Sequence, residues 1–170
     1  LTTGSITQQW LIKNGNYPNG IIQKACALRQ GQPLELDRVR SSSGITNILV
    51  ALATSENEYV DVLKFLEKAF LDTYDYDVRI RPHPNISIDS ALKSLSFSNH
   101  DFYSISPGSL TDDLNWADVV LYSSSTVGLE SVSLGIPAVY LDLSDIFDTD
   151  PLFGWDEFKW SVNEPKELID

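Results

Sequence analysis

Apolar residues fall in short blocks divided by polar turns, and the period of the blocks switches along the chain. Asn47-Ile-Leu-Val-Ala-Leu-Ala53 is a continuous apolar run of strand length, as expected of a strand buried on both faces. Beyond it, Tyr59, Val62, Leu63, Leu66 and Phe70 recur at helical spacing. They predict a helix from Glu56 to about Leu71, opened by Ser55 and Glu58 in a capping-box pattern. Asp77-Val-Arg-Ile-Arg81 predicts a second strand that ends at Pro82-His83-Pro84. Ser87 to Leu95 predicts a weak helix, and Phe102 to Ile105 a short third strand. A turn at Ser106-Pro-Gly108 follows, then a short helix through Trp116 capped by Ser109 and Asp112. Val119 to Tyr122 reads as a strand, Ser123 to Thr126 as a hydroxyl-rich turn, Val127 to Leu134 as a helix ended by Gly135, and Ile136 to Leu141 as another strand. After an acidic, aromatic loop from Asp142 to Trp155, Phe158 to Val162 predicts a last strand. Strands and helices alternating at this spacing predict an α/β, doubly wound, mostly parallel, Rossmann-like sheet with helices on both faces.

The first quarter of the chain reads differently. Residues 6 to 14 predict a short helix closing at Gly15, Asn16 to Gly20 a turn, and Ile21-Ile22 the start of a strand. Gln30 to Gly44, with Gly31, Pro33, three consecutive serines and Gly44, reads as a linker. Residues 1–44 are therefore expected to be the end of a preceding domain and its linker, and 45–165 the compact Rossmann-like domain. Residues 166–170 read as the start of a helix that is cut off after Pro165. Together with a first residue that is Leu1 and the absence of methionine, this reads as an excised piece of a longer protein.

Composition narrows the partners. The chain has 170 residues, 42% of them hydrophobic, enough for a substantial core. With 12 basic against 24 acidic side chains, its net charge is −12, which disfavours nucleic acid and anionic lipid as partners. Any bound phosphate must then rely on backbone N–H groups and a few placed basic residues. The single cysteine, Cys26, excludes an internal disulfide and fits a reducing compartment, and no run is apolar enough for a transmembrane segment.

In a doubly wound sheet, ligands gather at the carboxyl ends of the strands. Three predicted segments converge there: Ala53-Thr-Ser55, Arg79 to Pro84, and Ser123 to Glu130. The third offers three serine hydroxyls and a threonine at a helix start, a set suited to an anion, though serines there are more often simple caps. Glu130 falls one turn after Thr126 on the same helix face, placed to accept hydrogen bonds from sugar hydroxyls. Arg79 and Arg81 share one strand face; Arg79 serves equally as a strand-end salt-bridge partner, while Arg81 and His83 suit phosphate. There is no G-x-G-x-x-G, P-loop or G-x-S-x-G elbow. His83 and His100 lie far apart in sequence, and Asp142, Asp145, Asp148 and Asp150 fit turn and cap roles better than a cation site.

Three segments carry a family resemblance: Arg-Pro-His-Pro (81–84), Leu114-x-x-Ala-Asp-Val-Val-Leu (114–121), and Ser-Ser-Ser-Thr-x-x-x-Glu-x-x-x-x-Gly-Ile-Pro (123–137). They resemble the carboxyl-terminal domain of GT-B fold glycosyltransferases, nearest to bacterial surface-carbohydrate enzymes of sialyltransferase-like and glycerophosphotransferase-like type, with an HP motif and a serine motif. Residues 1 to 30, including Ala27-Leu-Arg29, are similar to the segment that ends the amino-terminal domain in such proteins. The resemblance implies that Arg81 and His83 contact donor phosphate. It also implies that Ser124, Ser125 and Thr126 bind phosphate, that Glu130 binds ribose, and that the turn from Ser106 to Leu110 lies against the base. It implies no cofactor beyond the nucleotide-sugar donor as substrate, a missing amino-terminal domain as partner, and a cytoplasmic location, with the inner face of the membrane as an alternative. The E-x7-E pattern of many retaining members is absent, since Tyr122 stands eight before Glu130. The expected role is the donor-binding half of a surface-polysaccharide glycosyltransferase, inactive alone; a sugar-nucleotide 2-epimerase half or a non-enzymatic binding module are the alternatives.

Overall fold

The computed structural model describes residues 1–18, 20–26, 44–70, 75–94, 102–143 and 148–169, and the chain divides into two compact units, Leu1–Glu35 and Leu36–Asp170. Most of the expected linker, the Ala27-Leu-Arg29 segment, Asp145 and His100 lie outside the described residues.

The first unit holds β1 (Thr2–Thr3), α1 (Gly4–Asn14) and β2 (Lys24–Ala25), with β1 and β2 paired in parallel. The strand expected at Ile21-Ile22 forms three residues later. Ile21 N–H is taken up by the turn, donating to Pro18 O at 3.3 Å, and Ile22 O accepts from the Gln8 side chain at 3.0 Å instead of joining a ladder. No residue of α1 is buried, and Ile12 and Trp10 are exposed.

The second unit carries β3 (Thr46–Ala51), α2 (Glu56–Phe70), β4 (Tyr76–Arg81), α3 (Asp89–Ser94), β5 (Tyr103–Ile105), α4 (Leu110–Trp116), β6 (Val119–Tyr122), α5 (Val127–Ser133), β7 (Ala138–Leu141), β8 (Lys159–Val162) and a 3-10 helix at Pro165–Leu168. Its six strands are all parallel, in the order β5-β4-β3-β6-β7-β8. Counted within the unit, that is the 3-2-1-4-5-6 order of the doubly wound Rossmann-like sheet, with its switch point between β3 and β6.

The strands' two-residue period distributes the core over both faces. Ile48, Val50 and Leu52 face the cluster that buries Tyr59, Val62, Leu63, Leu66 and Phe70 of α2 with Val78, Ile80 and Leu121. Leu49 and Ala51 face the other way, packing with Leu114, Ala117, Val120 and Ile136. Full burial of each such aliphatic or aromatic side chain stabilises by about 1.5–3 kcal/mol. This two-sided burial is why the central strands β3 and β6 carry continuous apolar runs in sequence.

Strand and helix ends depart from expectation for local reasons. β7 starts at Ala138 because Pro137 has no N–H for the ladder, though its carbonyl accepts Val120 N–H at 2.9 Å. β8 starts at Lys159 because Phe158 is left-handed, with φ 54°. α5 stops at Ser133, and Gly135 takes φ 73° to redirect the chain. At the amino edge, Asp118 accepts Asn47 N–H at 3.0 Å and Asn47 Nδ2 donates to Trp116 O at 3.0 Å, so the Ala-Asp-Val-Val-Leu motif pins β6 beside β3.

The edge strand is anchored by a buried polar group. Tyr122, fully buried on β6, donates from its hydroxyl to Asp150 Oδ1 at 2.9 Å, the same oxygen that accepts Leu152 N–H at 2.9 Å. Lys159 pairs with the other oxygen, Oδ2. Asp148 accepts Asp150 N–H at 3.0 Å, so both aspartates serve the loop. Burial above all, and then the Asp150 carboxylate, push the Tyr122 phenol well up from its usual value, so it stays a donor.

Gly128 lets α5 lie on the Tyr122 ring: a Cβ added there would come within 2.7 Å of three ring carbons. Gly128→Ala is therefore expected to lower unfolding stability by about 1–3 kcal/mol in a denaturant titration; an unchanged midpoint would contradict this packing.

Candidate functional site

The topology fixes where the loops emerge. Ala51, the last residue of β3, is in register with Arg81 on β4 and Tyr122 on β6. Those two flanking positions are therefore roughly 10 Å apart, two strand spacings. Two residues beyond Arg81 is His83, and two beyond Tyr122 is Ser124. The HP loop and the serine turn thus leave the sheet level with each other, on either side of the segment that leads from β3 into α2.

Adjacent residues of α2 hold both loops. Tyr59 Oη accepts the His83 N–H at 2.7 Å. The Tyr59 phenol, fully buried, is raised above its usual pKa chiefly by that burial, against the lowering effect of the His83 bond. Glu58 reaches the other loop: its Oε1 accepts Ser124 N–H at 3.2 Å and its Oε2 accepts Ser124 Oγ–H at 2.8 Å. The first turn of a well-packed 15-residue helix therefore braces the two predicted phosphate-binding segments together.

Within the HP loop, His83 is half-buried and its Nδ1 accepts Asn85 N–H at 3.3 Å. That assigns the ring proton to Nε2, which makes Nε2 a hydrogen-bond donor. In the serine turn, Ser123 and Ser125 are buried, while Ser125 Oγ accepts Val127 N–H at 3.4 Å. Thr126 is exposed and makes no side-chain capping bond, which leaves its hydroxyl for a ligand. Glu130, half-buried one turn on, receives no hydrogen bond or ion pair on its carboxylate among the described residues.

Arg81 has a different setting. Its Nη1 donates to Asp113 Oδ2 at 2.7 Å, to Gly108 O at 3.0 Å and to Ser106 Oγ at 3.3 Å. Asp113 is fully buried and also accepts Ser106 Oγ–H at 2.5 Å and Arg79 Nη1 at 3.2 Å. Arg79 lies over the Trp116 ring, 3.8 Å from its centroid. The two arginines do share a face, as their spacing predicts, and the salt bridge considered for Arg79 is made to a buried carboxylate of α4. This network fixes the turn from Ser106 to Leu110, the segment expected against the base; Leu110 itself packs half-buried on the Leu49, Ala51 and Val120 side of the core.

Glu58, Tyr59 and Asp113 are the site-building residues that sequence reasoning missed. Tyr59 and Asp113 carried no signal beyond a helical apolar position and an acidic first turn. Glu58 was accounted for by its capping-box pattern, but only half of that box forms: Glu58 N–H bonds Ser55 Oγ at 3.4 Å, while the carboxylate goes to Ser124.

Comparison with known proteins supports the fold. The wall teichoic acid polymerase TagF soaked with CDPG matches with a TM-score of 0.51 at 20% identity, over 78% of this chain and 32% of that one. Another TagF structure matches with a TM-score of 0.50 at 19% identity, over 74% and 34%. Thermosulfurimonas dismutans KpsC, a beta Kdo 2,7 transferase, gives 0.46 at 18%, over 75% and 40%. The chain thus has an α/β Rossmann-like fold resembling that of TagF, and it spans about a third of the TagF chain. No protein-family model and no curated protein matches the chain. No helix among the described residues is long and apolar enough to cross a membrane.

Two outcomes follow from the arginine network and its cap. Removing the buried carboxylate strands two guanidinium groups, so Asp113→Ala should cost about 3 kcal/mol or more of unfolding free energy. At α4 the Ser109 side chain, then its N–H, hold the exposed Asp112 carboxyl below its usual pKa. A depressed pKa contributes stability above the unfolded value, lost as pH falls through the folded one, here below about pH 4. Thermal melts of Asp112→Asn should accordingly fall less steeply with acidification than those of the parent, and parallel slopes would refute the cap's contribution.

Proposed function

We propose that this chain is the donor-binding half of a glycosyltransferase of surface-polysaccharide biosynthesis, holding a nucleotide-activated sugar in the crevice between β3 and β6. The observation that carries this is the shared brace: Glu58 and Tyr59, consecutive in α2, hold the serine turn and the HP loop to either side of one strand end. The fold likeness to TagF, a protein studied with CDPG, supports the same reading.

In this reading the donor diphosphate is bound by His83 through Nε2–H and by Ser124, Ser125 and Thr126 through hydroxyl and amide groups. Glu130 accepts hydrogen bonds from the ribose hydroxyls. Ser106 and Leu110 line the base, and Arg81 both fixes that turn and adds positive charge beside the phosphates. Transfer would require a second, acceptor-side domain closing over the donor, and the phosphate donors would stabilise charge on the departing nucleotide. A cytoplasmic site of action fits the nucleotide-activated donor and the single cysteine.

Calorimetric titration with CMP, CDP, UDP and GDP tests the reading. At least one should bind in the micromolar to millimolar range, with His83→Ala and Glu130→Ala each weakening it about tenfold or more. A folded sample that binds none of them would refute it.

A further inference from the structure

The Glu58 carboxylate stands where a ligand phosphate is needed. Its two oxygens take the N–H and the hydroxyl of Ser124, at 3.2 and 2.8 Å, the two donors that this residue would offer an anion. The crevice therefore already contains a negative group seated on its own binding donors.

A second seat for that carboxylate lies within its own helical turn. In a completed capping box the N3 carboxylate accepts the N-cap N–H. At α4 both halves are made: Asp112 N–H bonds Ser109 Oγ at 3.2 Å, and Ser109 N–H bonds Asp112 Oδ2 at 3.0 Å. At α2 the same sequence device is half made, because both Glu58 oxygens are drawn across to Ser124. Ser55 N–H, the counterpart of the bond that α4 makes, has no hydrogen-bond partner among the described residues.

We propose that Glu58 is a displaceable internal anion, seated on Ser124 in the unliganded crevice and moving to Ser55 N–H when a ligand phosphate takes Ser124. This rests on the crevice being a phosphate site and adds how the site discriminates. An incoming phosphate gains the Ser124 bonds only by removing equivalent bonds from Glu58, and the carboxylate stays close enough to repel it. The penalty grows with ligand charge. A free nucleoside diphosphate, whose terminal phosphate carries the extra charge that a sugar ester removes, is disfavoured relative to the sugar-bearing donor. Glu58 thereby helps to expel the spent nucleotide.

Calorimetric titration of the full chain with inorganic pyrophosphate and with CDP, for the parent and for Glu58→Gln, tests this. Glutamine keeps the length and can still bond Ser124 but carries no charge, so it should bind both probes about tenfold tighter, and adding Ser124→Ala should remove most of that gain. Glu58→Asp, one methylene too short for Ser124, is the second variant should Glu58→Gln fail to fold, with a gain of about threefold expected. If the parent binds CDP while Glu58→Gln binds it equally or more weakly, Glu58 only pins the loop and the proposal is overturned. If neither protein binds either probe, the phosphate reading fails and this inference with it.

Discussion

Two side chains on the first turn of α2 reach to either side of β3, Tyr59 to the backbone of His83 and Glu58 to the backbone and hydroxyl of Ser124. Doubly wound topology alone brings the two loops to one edge of the sheet, but says nothing of their spacing or stiffness. The brace supplies both, because α2 is itself immobilised by seven buried residues. In the unliganded crevice both loops are thus referred to a rigid element, and the Tyr59 tie to the HP loop does not depend on the Glu58 carboxylate.

The distribution of positive charge shapes the chemistry. A chain with net charge −12 has no broad basic field to offer. Its best-placed cations, Arg79 and Arg81, are bound to the buried Asp113 and organise the turn from Ser106 to Leu110. In the proposed reading, phosphate recognition falls largely to neutral donors: the Nε2–H of His83, hydroxyls and amides. Such groups would hold a diphosphate without binding every polyanion in solution, a restraint that the proposed role of the Glu58 carboxylate would sharpen.

Elements governed by their own residues were legible in the sequence. The continuous apolar runs of β3 and β6, the amphipathic face of α2 and the Ser109–Asp112 cap all form where their patterns place them. Hidden were features set by partners remote in sequence. Glu58 meets Ser124 across 66 residues and Arg81 meets Asp113 across 32, and neither pairing leaves a local trace. The start of β8 was misplaced by a left-handed Phe158, and that of β2 by a carbonyl diverted to Gln8, choices that residue type alone does not announce. For the site, the motifs named the loops correctly as neighbours of one edge, but not the helix that ties them.

The most direct measurement is amide chemical-shift mapping on addition of a nucleoside diphosphate that binds. The account predicts that His83, Ser124, Ser125, Thr126 and Glu130 shift together along one binding curve, with Tyr59 following through its bond to the His83 N–H and Glu58 through its release from Ser124. Shifts confined to one of the two loops, or clustered at the β8 edge, would contradict it.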